Sequence, residues 1–110
     1  MTDTQARSLA AAIIRQAVDD LKAAPNEISR YTETIKRLEQ QLSSESNVNT
    51  LKKLSVQINY WTSMRNQAVY RENEVLAFFH SEWFEALAEM INLDPDMVRN
   101  ELKINRKEVA

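Results

Sequence analysis

Residues 27–61 read EISRYTETIKRLEQQLSSESNVNTLKKLSVQINYW, and this stretch decides the fold. Ile28, Tyr31, Ile35, Leu38 and Leu42 alternate steps of three and four, the heptad seam of a helix that packs lengthwise against another. Ser43, Ser44, Glu45, Ser46, Asn47, Val48, Asn49 and Thr50 then form the one polar, turn-rich run, long enough to reverse the chain. Beyond it Leu51, Leu54, Ile58 and Trp61 restart the seam in register, so two helices zip antiparallel over several turns. The first is expected from about Glu27 to Leu42 and the second from about Asn49 to Phe79, roughly 45 Å at 1.5 Å per residue. The seam blurs through Arg65, Ala68 and Glu72 and returns at Val75, Leu76, Phe78 and Phe79, with no Pro or Gly to force a break near Asn73.

Working outward, Ala6, Leu9, Ile13, Ala17, Leu21 and Ala24 recur at three and four residues, with Arg7, Arg15, Asp19 and Lys22 on the other sides. That is an amphipathic helix, expected from about Asp3 to Ala23. Pro25 biases Ala24 away from helical dihedrals and leaves Asn26 as a cap for the helix that follows. On the C-terminal side Ser81 is placed to cap a short helix carrying Trp83, Phe84, Leu87, Ala88 and Ile91. Asn92, Leu93, Asp94 and Pro95 make a turn, with Asp94 as cap and Pro95 at the first helical position of a final helix bearing Met97, Val98 and Leu102. The expected architecture is one all-α domain over residues 1–110: an N-terminal helix within 1–24, a long coiled-coil-like hairpin over 26–80, and a helix-turn-helix-like pair over 81–104.

Composition narrows function by exclusion. The 110 residues include no Gly and no Cys, two Pro and one His, with a formal net charge of −2. Average usage predicts about eight glycines, so a Gly-rich phosphate cradle, a dinucleotide fingerprint and a nucleophile elbow are all missing. Without cysteine there is no disulfide, thiolate nucleophile or Cys-rich zinc site, and the lone His80 supplies no second imidazole ligand. A di-iron bundle wants Glu three residues before each of two His, yet position 77 is Ala77. No cofactor, metal or small-molecule substrate is therefore expected, and no catalytic residue is assigned. Apolar runs fall well short of the ~20 residues that span a bilayer, and no basic-then-apolar signal opens the chain, so a cytoplasmic, membrane-free setting is expected.

Two constellations remain. Phe78, Phe79, Trp83 and Phe84 lie close together in sequence, either as a binding pocket or as the plug where the C-terminal helices meet the hairpin. Ala88, Asn92 and Val98 have the spacing of helix-turn-helix DNA readers, in which a small residue lets the second helix cross closely. Arg99, Lys103, Arg106 and Lys107 fall at i, i+4, i+7 and i+8 and so share one face of the final helix, either as a phosphate-contacting stripe or as a solvated face. Against DNA stand Asp94 and Asp96 at the helix tip and a net charge of −3 over residues 81–110, the wrong sign for a phosphate-driven binder.

The run Phe78-Phe79-His80-Ser81-Glu82-Trp83-Phe84-Glu85-Ala86-Leu87, followed by Leu93-Asp94-Pro95-Asp96-Met97-Val98-Arg99 and Leu102, resembles a small family encoded by bacteriophages and prophages. The resemblance covers less than a quarter of the chain. It implies a helical stem followed by an aromatic Ser-Glu-Trp-Phe helix and a Leu-Asp-Pro helix, and it brings no defined activity. It also implies a setting, that of a phage accessory protein acting inside a bacterial cell, where small non-enzymatic proteins regulate transcription or block host machinery by binding it. The expectation is thus a non-catalytic protein that binds a protein partner or a second copy of itself, with Trp83, Phe84, Arg99, Asn100, Lys103, Arg106 and Lys107 as candidate contact residues. A DNA-binding regulator using the C-terminal pair is the alternative.

Overall fold

Thr2 opens the first helix through a reciprocal cap: its hydroxyl accepts from the Gln5 amide at 3.1 Å, and its own amide donates to the Gln5 side chain at 2.9 Å. The computed structural model describes residues 2–104. Among them the chain forms four helices and no strand: α1 (Asp3–Ser44), α2 (Val48–Phe79), α3 (Glu82–Met90) and α4 (Pro95–Glu101). The two long helices pack against each other and a small helical pair follows them, the all-α hairpin architecture that the heptad seam predicts.

One boundary differs. The N-terminal helix does not end at Pro25; α1 runs unbroken from Asp3 to Ser44 with Pro25 inside it. The ring deprives the Leu21 carbonyl of its helical donor and costs about 3 kcal/mol in a helix interior. Ala24 beside it is buried and Ile28 half-buried, so a break here would strip both from the packing face, and continuity wins. The turn is also shorter than the polar run implied. Only residues 45–47 lie outside helix. There the Glu45 carboxylate accepts from the amides of Ser46 and Asn47, and the Asn47 side chain accepts from Asn49 and Thr50, making Asn47 the cap of α2.

The chain divides into two compact units, one formed by residues up to Lys22 and from Glu72 onward, the other by Ala23–Arg71. In the first, Ala10 and Ile14 of α1, Phe79 of α2 and Phe84, Leu87 and Ala88 of α3 are buried together, with Val98, Leu102 and Ile104 packed against them. The rings of Phe78, Phe79 and Phe84 meet edge to face at 5.0–5.5 Å, the geometry their quadrupoles favour. In the second unit Ala24, Ile35, Leu54 and Ala68 are buried. Tyr31 leans on Trp61 at 5.7 Å, and Glu27 receives Arg71 at 2.7 Å. That ion pair is largely exposed and contributes at most about 1 kcal/mol.

Candidate functional site

The C-terminal pair is built from local caps that the sequence announces. Ser81 accepts from the Phe84 amide at 3.1 Å and so starts α3; Asp94 accepts from the Asp96 amide at 3.0 Å ahead of Pro95 and starts α4. Both helices end in the same closing motif. The Leu93 amide donates to the Ala88 carbonyl and Asn92 to Glu89, with Asn92 at φ 59°. Ile104 donates to Arg99 and Lys103 to Asn100, with Lys103 at φ 59°. This left-handed position usually holds glycine. A chain with no glycine fills it with Asn and Lys.

That geometry redistributes the candidate contact residues. Arg99 does not face solvent: it is 3% exposed. Its Nε donates to the Phe79 carbonyl at 2.6 Å, one guanidinium nitrogen to Glu85 at 3.0 Å and the other to Asp96 at 3.1 Å, while its carbon centre lies 5.3 Å from the Phe84 ring centroid. The Phe79 carbonyl belongs to the last turn of α2, where carbonyls lack helical donors and a cation is favoured. Arg99 is therefore a buried clamp that joins α2, α3 and α4 rather than a residue of the solvent-facing surface. Lys103 is exposed but lies past the end of α4, in the left-handed closing residue, so the i, i+4 stripe with Arg99 is not assembled. Asn100 is exposed on α4. Arg106 and Lys107 lie outside the described residues.

The aromatic pair separates as sharply. Phe84 is fully buried, whereas Trp83, its neighbour in sequence, is 58% exposed and touches Phe78 edge-on at 5.3 Å. The packing half of the helix-turn-helix spacing is realised, since Ala88 is fully buried and Val98 packs on the same cluster. His80 sits at the α2–α3 junction, its amide bonded to the Leu76 and Ala77 carbonyls and its Nδ1 enclosed without a hydrogen-bond partner. Among the described residues no group of three or more His, Asp or Glu is placed to hold a metal, and no helix is long and apolar enough to cross a membrane.

Sequence reading missed a groove of about 420 Å³ between α1 and α2 in the first unit. Half-buried Ile13 and Ala17 on one side and Val75 and Phe78 on the other make its apolar floor, and the exposed Ala12, Gln16, Asp20 and Glu74 complete its lining. Gln16 donates to the Asp20 carboxylate at 2.9 Å, one turn along the same helix. The groove exists because alanines occupy α1 positions where larger side chains would fill the space. The only sequence signal is that run of small residues opposite Val75 and Phe78. Through Phe78 the groove adjoins the exposed indole of Trp83. Compared with family models, curated proteins and solved structures, the chain matches none.

Proposed function

We propose that the protein is a non-catalytic binding protein that takes an amphipathic, basic helix of a protein partner along the groove between α1 and α2. The observation that carries this reading is the combination of an apolar floor with two carboxylates, Asp20 and Glu74, at the edges. Helix-in-groove recognition uses such a pairing: apolar anchors at three- and four-residue spacing supply burial, and flanking charges supply orientation. Trp83 extends the apolar surface and is of a residue type enriched where binding energy concentrates. The resemblance of the C-terminal segment to phage-encoded accessory proteins supports a setting in the cytoplasm of a bacterial host. A DNA-binding role draws no support from Arg99, which is buried and bonded to Phe79, Glu85 and Asp96.

Calorimetric titration with a designed helical peptide bearing Leu at i, i+4 and i+7 and Lys on its flanks tests this. Binding is expected, with at least a tenfold loss when Glu replaces the peptide's Lys and a comparable loss in Ala17→Arg, which fills the floor. Equal affinity for the two peptides, or an Ala17→Arg variant that binds like the parent, overturns the proposal.

A further inference from the structure

The groove between α1 and α2 has two unlike ends. Along α1 its lining runs from Ala12 to Asp20, about 12 Å of helix, and along α2 from Phe78 back to Glu74, about 6 Å. The two helices are joined by residues 45–47 alone and run in opposite directions, and Phe79 is buried with Ala10 and Ile14. Ala12, Ile13 and Phe78 therefore share one end, and Asp20 and Glu74 lie toward the other. Both charged residues of the lining are thus acidic and on the same side of its midpoint. The Asp20 carboxylate accepts from the neutral side-chain amide of Gln16, and no ion pair among the described residues engages Asp20 or Glu74. The opposite end leads to Trp83, which meets Phe78 at 5.3 Å and is otherwise largely in solvent. The carboxylates next to Trp83 in sequence do not line the groove: Glu85 holds Arg99, and Glu82 stands in the first turn of α3.

Resting on the reading that this groove takes a basic, amphipathic helix, we infer that it takes the helix in one direction only. The partner's first turn lies at Asp20 and Glu74, and its later apolar side chains lie toward Phe78 and Trp83, so that it runs parallel to α2 and antiparallel to α1. The choice follows from charge. The first turn of a helix carries amides without helical acceptors and the positive end of the macrodipole, and both are drawn to carboxylates. Basic side chains near that turn meet the same two groups. The reverse direction sets the partner's last carbonyls, its negative end, against Asp20 and Glu74. It also leaves the first-turn amides over Phe78 and Trp83, which offer them no side-chain acceptor, since an indole N–H only donates. Length agrees with this placement. Apolar anchors at i, i+4 and i+7 span about 10 Å, close to the run from Asp20 to Ala12. A large apolar side chain about one turn further on then reaches Trp83. The partner of this chemistry is a helix that is basic at its start and bulky and apolar toward its end.

The test uses the full chain, isotope-labelled for NMR, and the designed peptide with Leu at i, i+4 and i+7 and Lys on both flanks, carrying a nitroxide at either its N-terminal or its C-terminal end. The Trp83 indole signal is told from that of Trp61 by its loss in Trp83→Phe. The C-terminal nitroxide is expected to weaken the Trp83 indole signal at least twofold more than the Asp20 amide signal, and the N-terminal nitroxide to do the reverse. Asp20→Asn combined with Glu74→Gln, both at exposed positions, is expected to lower affinity at least fivefold and to abolish the preference, so that either nitroxide then weakens the Trp83 signal. Circular dichroism confirms that this variant keeps its helix content. An N-terminal nitroxide that acts on Trp83 in the parent chain, two nitroxides that act on it equally, or a neutralised variant that keeps the parent's preference overturns the inference. Absence of any binding overturns the groove reading and this inference with it, whereas binding in the reverse or in both directions overturns this inference alone, so the two failures are separable.

Discussion

At the scale of single residues, Arg99 departs furthest from its reading in the sequence. Its spacing with Lys103, Arg106 and Lys107 invites a basic face, yet its guanidinium closes three hydrogen bonds inside the fold. Its Phe79 and Glu85 partners lie 20 and 14 residues away, so no local pattern announces them. Ser81, Asp94 and Pro95 are legible for the opposite reason, since a cap acts on amides two or three residues ahead. Arg99→Ala leaves the Phe79 carbonyl without its donor and Glu85 without its cation, and is expected to cost about 2–4 kcal/mol in urea unfolding. Arg99→Lys is expected to recover less than half of that, because an ammonium on a flexible stem cannot reproduce the planar fork or cover the Phe84 ring. Full recovery by lysine contradicts the clamp.

At the scale of elements, the seam of residues 28–61 foretells the hairpin, and Asn47 and the short turn place its tip within the polar run. Pro25 shows where local reasoning loses. A proline's effect on its neighbours favours a break, but helix continuity keeps Ala24 and Ile28 on the packing face, and burial outweighs one lost hydrogen bond. The missing helical donor predicts a gain on removal: Pro25→Ala is expected to stabilise the protein by about 1–3 kcal/mol, read as a higher thermal midpoint with unchanged helix content. A lower midpoint shows that the proline is required by the fold rather than tolerated by it.

At the scale of the whole molecule, the first unit holds the aromatic core and the second a sparser one of Ile35, Leu54 and two alanines. Hydrogen exchange is therefore expected to be slowest at residues 10–14 and 84–88, and fastest at 45–52, where the backbone bonds face solvent at the hairpin tip. Exchange at 45–52 as slow as at 84–88 contradicts this placement of the core. By itself the sequence determined the all-helical class, the hairpin, the Ser81 and Asp94 caps and the exclusion of glycine-borne loop chemistry, because heptad spacing, caps and turns are interactions over a few residues; the cap expected at Asn26 is absent because α1 runs through it. Only the tertiary structure decided that Phe84 is enclosed while Trp83 stands in solvent, that Arg99 points inward, that α1 passes through Pro25, and that alanines on α1 leave a groove against α2. Each of these depends on which distant side chains fill the surrounding space, and burial is a property of the packed chain rather than of any window along it.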